Sequence, residues 1–205
     1  MINGMIKVSN LQGKAYIADG NIPVNNIESI SFEGDSYIIL SGVKASNAMT
    51  IEVDFIRESA KNYAFVFGSR SSNTSNDGIA LAYSSSNCFP IFGSDRSNIN
   101  STSSISIRHI AKIGQSGYVL DEETIKTYEN MNFVGTYDLT IGALNNGGDI
   151  DNRAFKGKIY SVKIYLNNII YKNLVPVERT YDSAIGLYDT LGGDFYILQE
   201  MSSNE

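Results

Sequence analysis

Apolar and polar residues along this chain trade places every second position far more often than every third or fourth. In TIEVDFI (50–56), Ile51, Val53 and Phe55 fall on one side and Glu52 and Asp54 on the other, the mark of a strand with one buried face. ISFEGDSYIIL (30–40) reads as two strands about a Gly34-Asp35 turn. YAFVFGS (63–69) is apolar throughout, as expected of a strand covered on both faces. GIALAYS (78–84) and CFPIFGS (88–94) follow, Pro90 marking an edge or a bulge in the latter. SISIRHIAKIG (104–114) alternates again, and GYVLDEETIKTY (117–128) predicts a hairpin turning near Asp121-Glu122. YDLTIGAL (137–144) leads into the polar loop NNGGDIDNR (145–153). KGKIYSVKIYLNNIIYKNLVPV (156–177) is the clearest hairpin, with Asn167-Asn168 at its turn because Asn tolerates positive φ. IGLYDTLGGDFYIL (185–198) turns at Gly192-Gly193. About a dozen short strands at this spacing predict an all-β fold, two antiparallel sheets packed as a jelly-roll sandwich. Residues 1–26 follow the pattern least and are expected to be an edge strand or the junction to a stalk, with the sandwich spanning 27–205.

Composition agrees. Apolar residues make up 42% of the 205, enough for a packed core, and thirteen Tyr and nine Phe suit strands. The net charge is −6, with no run of Lys and Arg. That argues against nucleic acid, which calls for a basic face, and against adhesion to an anionic membrane. No stretch approaches the roughly 20 apolar residues of a membrane span. The N-terminus, MINGMIKVSN, lacks the apolar run of a signal peptide. A place outside the cell would then be reached by lysis or by assembly into a particle. The single cysteine, Cys88, and the single histidine, His109, cannot build a zinc site of the usual type.

The segment from Phe155 to Tyr196 carries more than pattern. FKGKIYSVKIY, NLVPVER and IGLYDTLGGDFY resemble the closing signature of concanavalin A-like, laminin-G-like lectin-fold domains. SYIILSGVKA (36–45), TIEVDF (50–55), FVFGSRSS (65–72) and GALNNGGDIDNRAFKG (142–157) extend the resemblance upstream. Such domains occur in bacteriophage tail proteins and bacterial surface proteins. The resemblance therefore implies a virion-tail or cell-surface setting, with other tail or surface proteins as partners and a homotrimer as one assembly. Within the signature, Gly157, Gly186 and Asp189 read as fold determinants, Asp189 capping the last turn.

The sequence offers residues for three kinds of site. The fold's β-glucanases carry acidic residues alternating on one strand, and Glu52, Asp54 and Glu58 share a face here under strict alternation. The last spacing is one residue too long, and there is no Trp to line a sugar cleft. The expectation is a protein that is not an enzyme. Calcium, the one cofactor considered, would need clustered loop oxygens. Asp149 and Asp151, amid Asn145, Asn146 and Asn152, are the candidate ligands. A sugar needs an exposed aromatic platform beside groups that bond hydroxyls. Tyr83, Phe89, Phe92 and Tyr137 are candidate platforms, with Arg70, Asp77, Asp95, Arg96 and Arg153 as polar partners. Arg70 leads because its Gly-Ser-Arg turn precedes a long polar loop. The function expected is non-catalytic recognition, a tail receptor-binding domain contacting a bacterial cell-surface glycan. The alternatives are a structural or oligomerisation module without a ligand, and a bacterial adhesin or carbohydrate-binding module.

Overall fold

The computed structural model describes residues 24–58, 63–100 and 104–201. In chain order the first strands are β1 (Val24–Asn26), β2 (Ile30–Glu33), β3 (Ser36–Ser46), β4 (Met49–Arg57) and β5 (Ala64–Arg70). Next come β6 (Gly78–Tyr83), β7 (Asn87–Gly93), β8 (Asp95–Arg96), β9 (Ile99–Asn100) and β10 (Arg108–Gly114). β11 (Gly117–Leu120), β12 (Glu123–Lys126), β13 (Val134–Ile141), β14 (Asn145–Asn146) and β15 (Asp149–Ile150) follow. The last are β16 (Lys156–Leu166), β17 (Ile169–Arg179), β18 (Ile185–Asp189), β19 (Phe195–Ile197) and β20 (Gln199–Glu200). The first sheet runs β12-β11-β10-β4-β16-β17-β18-β19, with β1 on β17 and β2 on β16. The second runs β20-β3-β13-β5-β6-β7-β8, with β9 on β7 and the β14–β15 hairpin on β5. All pairings between strands are antiparallel except β14 with β5. The fold is thus the expected all-β sandwich.

The core lies between the sheets. Ile51, Val53 and Phe55 of β4 and Val162 and Ile164 of β16 meet Ile38, Leu40, Ile79, Leu81, Leu139 and Ile141 from the second sheet. Each such side chain leaves water at a gain of about 1.5–3 kcal/mol, so this layer is the dominant stabilising term. The expected turns at Asp121-Glu122 and Asn167-Asn168 are present, all four residues at positive φ. Pro90 sits in β7 where its outer neighbours are interrupted. β9 pairs Asn87 and Cys88, β8 pairs Ile91 and Phe92, and no ladder runs beside Phe89-Pro90 on that side.

Two expectations change. Residues 104–107 form a turn, with Ser106 at positive φ, so β10 starts only at Arg108. Gly68-Ser69-Arg70 is the end of strand β5 rather than a turn. Of the N-terminal segment, Val24–Asn26 pairs with β17. Residues 1–23 lie outside the described ones.

Candidate functional site

One face of the second sheet looks away from the core. In β6, alternation sends Ile79, Leu81 and Tyr83 into the main core and Ala80 and Ala82 to the other side. Pairing carries that outer face across neighbouring strands: Phe65 opposes Ala82, which opposes Phe89, and Gly68 opposes Ala80, which opposes Ile91, which opposes Arg96. A bulge at Val66 governs the arrangement, because the register shifts between Phe65 and Phe67. Phe67 faces Leu81 and the core, whereas Phe65 faces Ala82 and the outside.

Over this face lies a hollow of about 260 Å³. Its lining is Tyr63, Phe65, Arg70, Phe89, Ile91, Arg96, Ser97, Asn98 and Arg153. Tyr63 stacks on Phe89 with ring centroids 4.2 Å apart, and Tyr63 is 43% exposed. The pair offers an aromatic surface to solvent.

Three arginines reach this hollow from separate segments. Arg70, at the end of β5, is 7% exposed. Its Nε donates to Asn146 Oδ1 at 3.1 Å and its Nη2 to Asn73 Oδ1. Burial, then the nearby charges of Arg96 and Arg153, lower its pKa from the usual arginine value. Arg96 donates from Nη2 to the Ser75 carbonyl. Arg153 is gripped by Asp151, whose Oδ1 accepts its backbone N–H at 3.0 Å and its Nε at 2.8 Å. Its guanidinium lies 5.2 Å from the Phe65 ring centroid. Hydrogen bonding to Asp151 raises the Arg153 pKa against the effect of burial.

The surrounding loops hold these groups in place. Asp77 accepts hydrogen bonds from the Ser71 N–H (3.1 Å) and the Ser71 hydroxyl, closing the 71–77 loop that carries Asn73 and Ser75. Burial acts to raise the Asp77 carboxyl, but the hydroxyls of Ser71 and Ser75 outweigh it and hold it below its ordinary value. The loop expected at 145–153 contains a tight hairpin, β14–β15, turning on Gly147-Gly148 at φ of 76° and 99°. Its amides are engaged in structure: Asn145 donates to Asp138 O and accepts from Gly148 N, and Asn146 serves Arg70. Asp151 serves Arg153, and Asp149 is exposed on β15. Among the described residues no three acidic, His or Cys side chains gather where a metal ion could sit.

Of the residues expected from sequence, Arg70, Arg96 and Arg153 line the hollow together, Phe89 forms its platform, and Asp77 fixes the loop beside it. Tyr83 and Phe92 are corrected: at 2% and 0% exposure they belong to the core, because β6 and β7 turn those positions inward. Tyr83 instead shares a 2.8 Å hydrogen bond with Tyr118. Asp95 faces a different depression, paired with Lys126 at 3.0 Å. Tyr63, Phe65, Ser97 and Asn98 were not singled out. Alternation of large and small residues in GIALAY separates the two faces of β6, but nothing in the apolar run of β5 marks Phe65.

The carboxylates tested for glycosidase chemistry lie on the outside of the first sheet. A depression of about 600 Å³ there is lined by Glu52, Asp54, Arg108, Lys112, Asp121 and others. Its two β4 carboxylates are paired with cations. Glu52 takes both Lys112 and Lys163 at 2.8 Å, and Asp54 takes the Arg108 fork through two 2.7 Å bonds. Burial would raise the Glu52 carboxyl, yet the two ammonium groups hold it below its ordinary value. A carboxyl so held has no proton to deliver to a leaving group at neutral pH. Glu58 lies beyond the end of β4, exposed. Cys88 is buried, and His109 is bonded to Asp121 at 2.6 Å.

No protein-family model matches the sequence, and no curated protein does. Solved structures do share the architecture. The Ruminococcus gnavus IT-sialidase CBM40 bound to α2,3-sialyllactose has a TM-score of 0.52 at 13% identity, covering 68% of this chain and 90% of that one. Domain 4 of AbnA, a GH43 extracellular arabinanase from Geobacillus stearothermophilus in complex with arabinotriose, gives 0.45 at 15% identity over 73% and 78% of the two chains. At such identities the likeness concerns the fold alone, a two-sheet β-sandwich.

Proposed function

We propose that this domain is a non-catalytic carbohydrate-binding module and that the hollow on the second sheet is its binding site. The observation that carries the reading is the exposed Tyr63–Phe89 stack beside Arg70, Arg96 and Asn98. An aromatic face covers the apolar side of a sugar ring while planar donors and amides bond its hydroxyls. The shared fold with a sialidase's carbohydrate-binding module supports this. So does the pairing of Glu52 and Asp54, the two β4 carboxylates of the larger depression, with cations. The finer reading is a receptor-binding domain of a phage tail or tail-like particle that contacts a bacterial cell-surface glycan. It rests on the laminin-G-like signature from Phe155 to Tyr196.

The test is a glycan-array screen of the purified domain, run with Ca²⁺ and again with EDTA. A saturable hit lost in Tyr63→Ala supports the site, and loss in EDTA would bring calcium into it. Hydrolysis of a β-glucan that disappears in Glu52→Gln would overturn the non-catalytic reading.

A second reading, a structural or oligomerisation module, draws on a different surface. Tyr171, Tyr181, Ile185, Leu191 and Ile197 are all exposed along β17, β18, β19 and the turns between them. Exposed apolar side chains are a feature of assembly surfaces. Sedimentation at rising concentration distinguishes the two: a trimer abolished by Ile185→Lys favours assembly, a monomer favours the glycan module alone.

A further inference from the structure

The hollow carries more positive charge than a neutral sugar would call for. Three guanidinium groups line it, and no acidic side chain does among the described residues. Arg153 already has Asp151. Arg70 and Arg96 meet only neutral oxygens, those of Asn146, Asn73 and the Ser75 carbonyl, and neither forms an ion pair with a carboxylate among the described residues.

The molecule has 22 acidic against 16 basic residues, and most of its described cations are paired. Arg108 is matched by Asp54, Lys112 and Lys163 by Glu52, Lys126 by Asp95, and Arg179 by Asp182. Arg70 is the more telling of the two. More than nine-tenths of it is buried, and the carboxylate whose charge reaches it, Asp151, is bonded to Arg153 and makes no ion pair with Arg70. Its two amide partners fix the plane of the guanidinium, and Arg96 approaches from β8 on the far side of Ile91. The bonds to Asn146 and Asn73 occupy Nε and one hydrogen of Nη2, which leaves the Nη1–Nη2 edge as the fork for the paired oxygens of a carboxylate or phosphate. The aromatic stack and the cationic wall belong to one hollow, so one ligand can meet both.

We infer that the glycan bound here is anionic, its acid group received by Arg70 and Arg96 while its ring lies on Tyr63 and Phe89. The inference rests on the carbohydrate reading and narrows it to sugars bearing a carboxylate or a phosphate ester. Arg153, already neutralised by Asp151, acts as a positioning residue that walls the hollow beside Phe65.

The experiment uses matched pairs of oligosaccharides that differ only in charge. Trigalacturonate is compared with its methyl ester, 3′-sialyllactose with its methyl ester, and a mannose 6-phosphate trisaccharide with its dephosphorylated form. The first two pairs test a carboxylate and the third a phosphate. The expected result is that acidic members of at least one arm bind about tenfold tighter or more, as charge-assisted hydrogen bonds allow. The preference should shrink with rising salt. Arg96→Gln should bring the ratio of acidic to neutral affinity towards one. Because Arg70 is buried, Arg70→Lys is the second variant: it keeps the charge but loses the fork, and the ratio should fall with the melting temperature monitored. Arg108→Gln, on the other sheet, should leave the ratio unchanged. Equal affinity for acidic and neutral members overturns the anionic ligand and leaves the carbohydrate module standing. Binding of no saccharide on the array or in these pairs overturns both.

Discussion

Phe65 and Arg70 line the same hollow although they are five residues apart on one strand. An odd separation puts two side chains on opposite faces of a regular strand. The bulge at Val66 adds the residue that brings them together, leaving Ala64 and Phe67 directed towards the core and Phe65, Gly68 and Arg70 outward. The site therefore depends on a break in the pattern that otherwise specifies the fold.

Deleting Val66 should leave the hollow standing. Without the extra residue Phe65 and Arg70 are four positions apart, an even separation that regular alternation keeps on one face. Loss of the fully buried Val66 side chain should cost about 1.5–3 kcal/mol, while glycan binding persists. Urea unfolding together with a binding titration checks both, and loss of binding in a folded deletion would contradict the reading of the bulge as the device that absorbs one residue.

Gly68→Ala tests the tightness of the second row. A Cβ there would lie 2.6 Å from Ala80 Cβ and 2.7 Å from Leu144 Cδ1, closer than carbon atoms allow. The expected cost is about 1–3 kcal/mol, the range for overpacking, read as a lower midpoint in urea.

Asp77→Ala should act at a distance. It removes the bonds that close the 71–77 loop, so Asn73 and Ser75 no longer hold Arg70 and Arg96 in position. Stability should fall by about 1 kcal/mol, the usual net value of such a bond. Glycan affinity should fall further than that loss explains, and Asp77→Asn should recover part of it. Isothermal titration on the three proteins separates the effects.

Lys172 lies in the other sheet, 2.9 Å from Asp189 and 2.9 Å from Asp194, with Lys172 and Asp189 both buried. Asp189 also accepts the N–H groups of Asn173 and Leu191, so it caps the last turn, as expected from sequence, and also ties β17 to β18. Lys172→Met leaves that carboxylate buried without its cation and should cost about 3–5 kcal/mol. Restoring stability in Lys172→Met combined with Asp189→Asn would show that the stranded charge, rather than lost packing, was the cause.

Acid should destabilise the fold in a defined window. Glu52, Asp77 and Asp151 are each raised by burial but held lower by stronger hydrogen bonding, from the two lysines, from Ser71 and Ser75, and from Arg153 respectively. Their folded pKa values thus lie below the unfolded ones, and the unfolded chain binds more protons as pH falls. The stability they add is complete above the unfolded carboxylate range, near pH 4, and is lost as pH drops through the folded values. The melting temperature should be level from pH 5 to 7, fall below about pH 4, and fall less steeply in Glu52→Gln. A drop centred near pH 6 would rule this account out.

Much of the fold was legible because it is repetitive. The alternation in TIEVDFI and the Asn167-Asn168 turn each depend on neighbours in sequence, and both appear as expected. The site was legible only in part. Arg70, Arg96 and Arg153 stood out as arginines in polar loops and do converge. Tyr83 and Phe92 misled because an aromatic near a loop looks the same whichever way its strand faces, and facing is set by register with β5 and β6. Phe65 was hidden for the opposite reason, since a uniformly apolar strand gives no hint that a bulge splits it between two faces.

The apolar lining of the hollow includes Ile91, which packs with Phe65 over the fully buried Ala80, Ala82 and Leu144. One aliphatic side chain thus helps to shape the hollow, while the charged rim is carried by Arg70, Arg96 and Arg153. Exchanging Ile91 for valine or leucine would change which ring substituents fit without replacing an arginine or remaking a loop. Affinity for an acid group and discrimination among sugar shapes are in this way separately adjustable, and a lineage of such domains could change its preferred sugar one lining residue at a time.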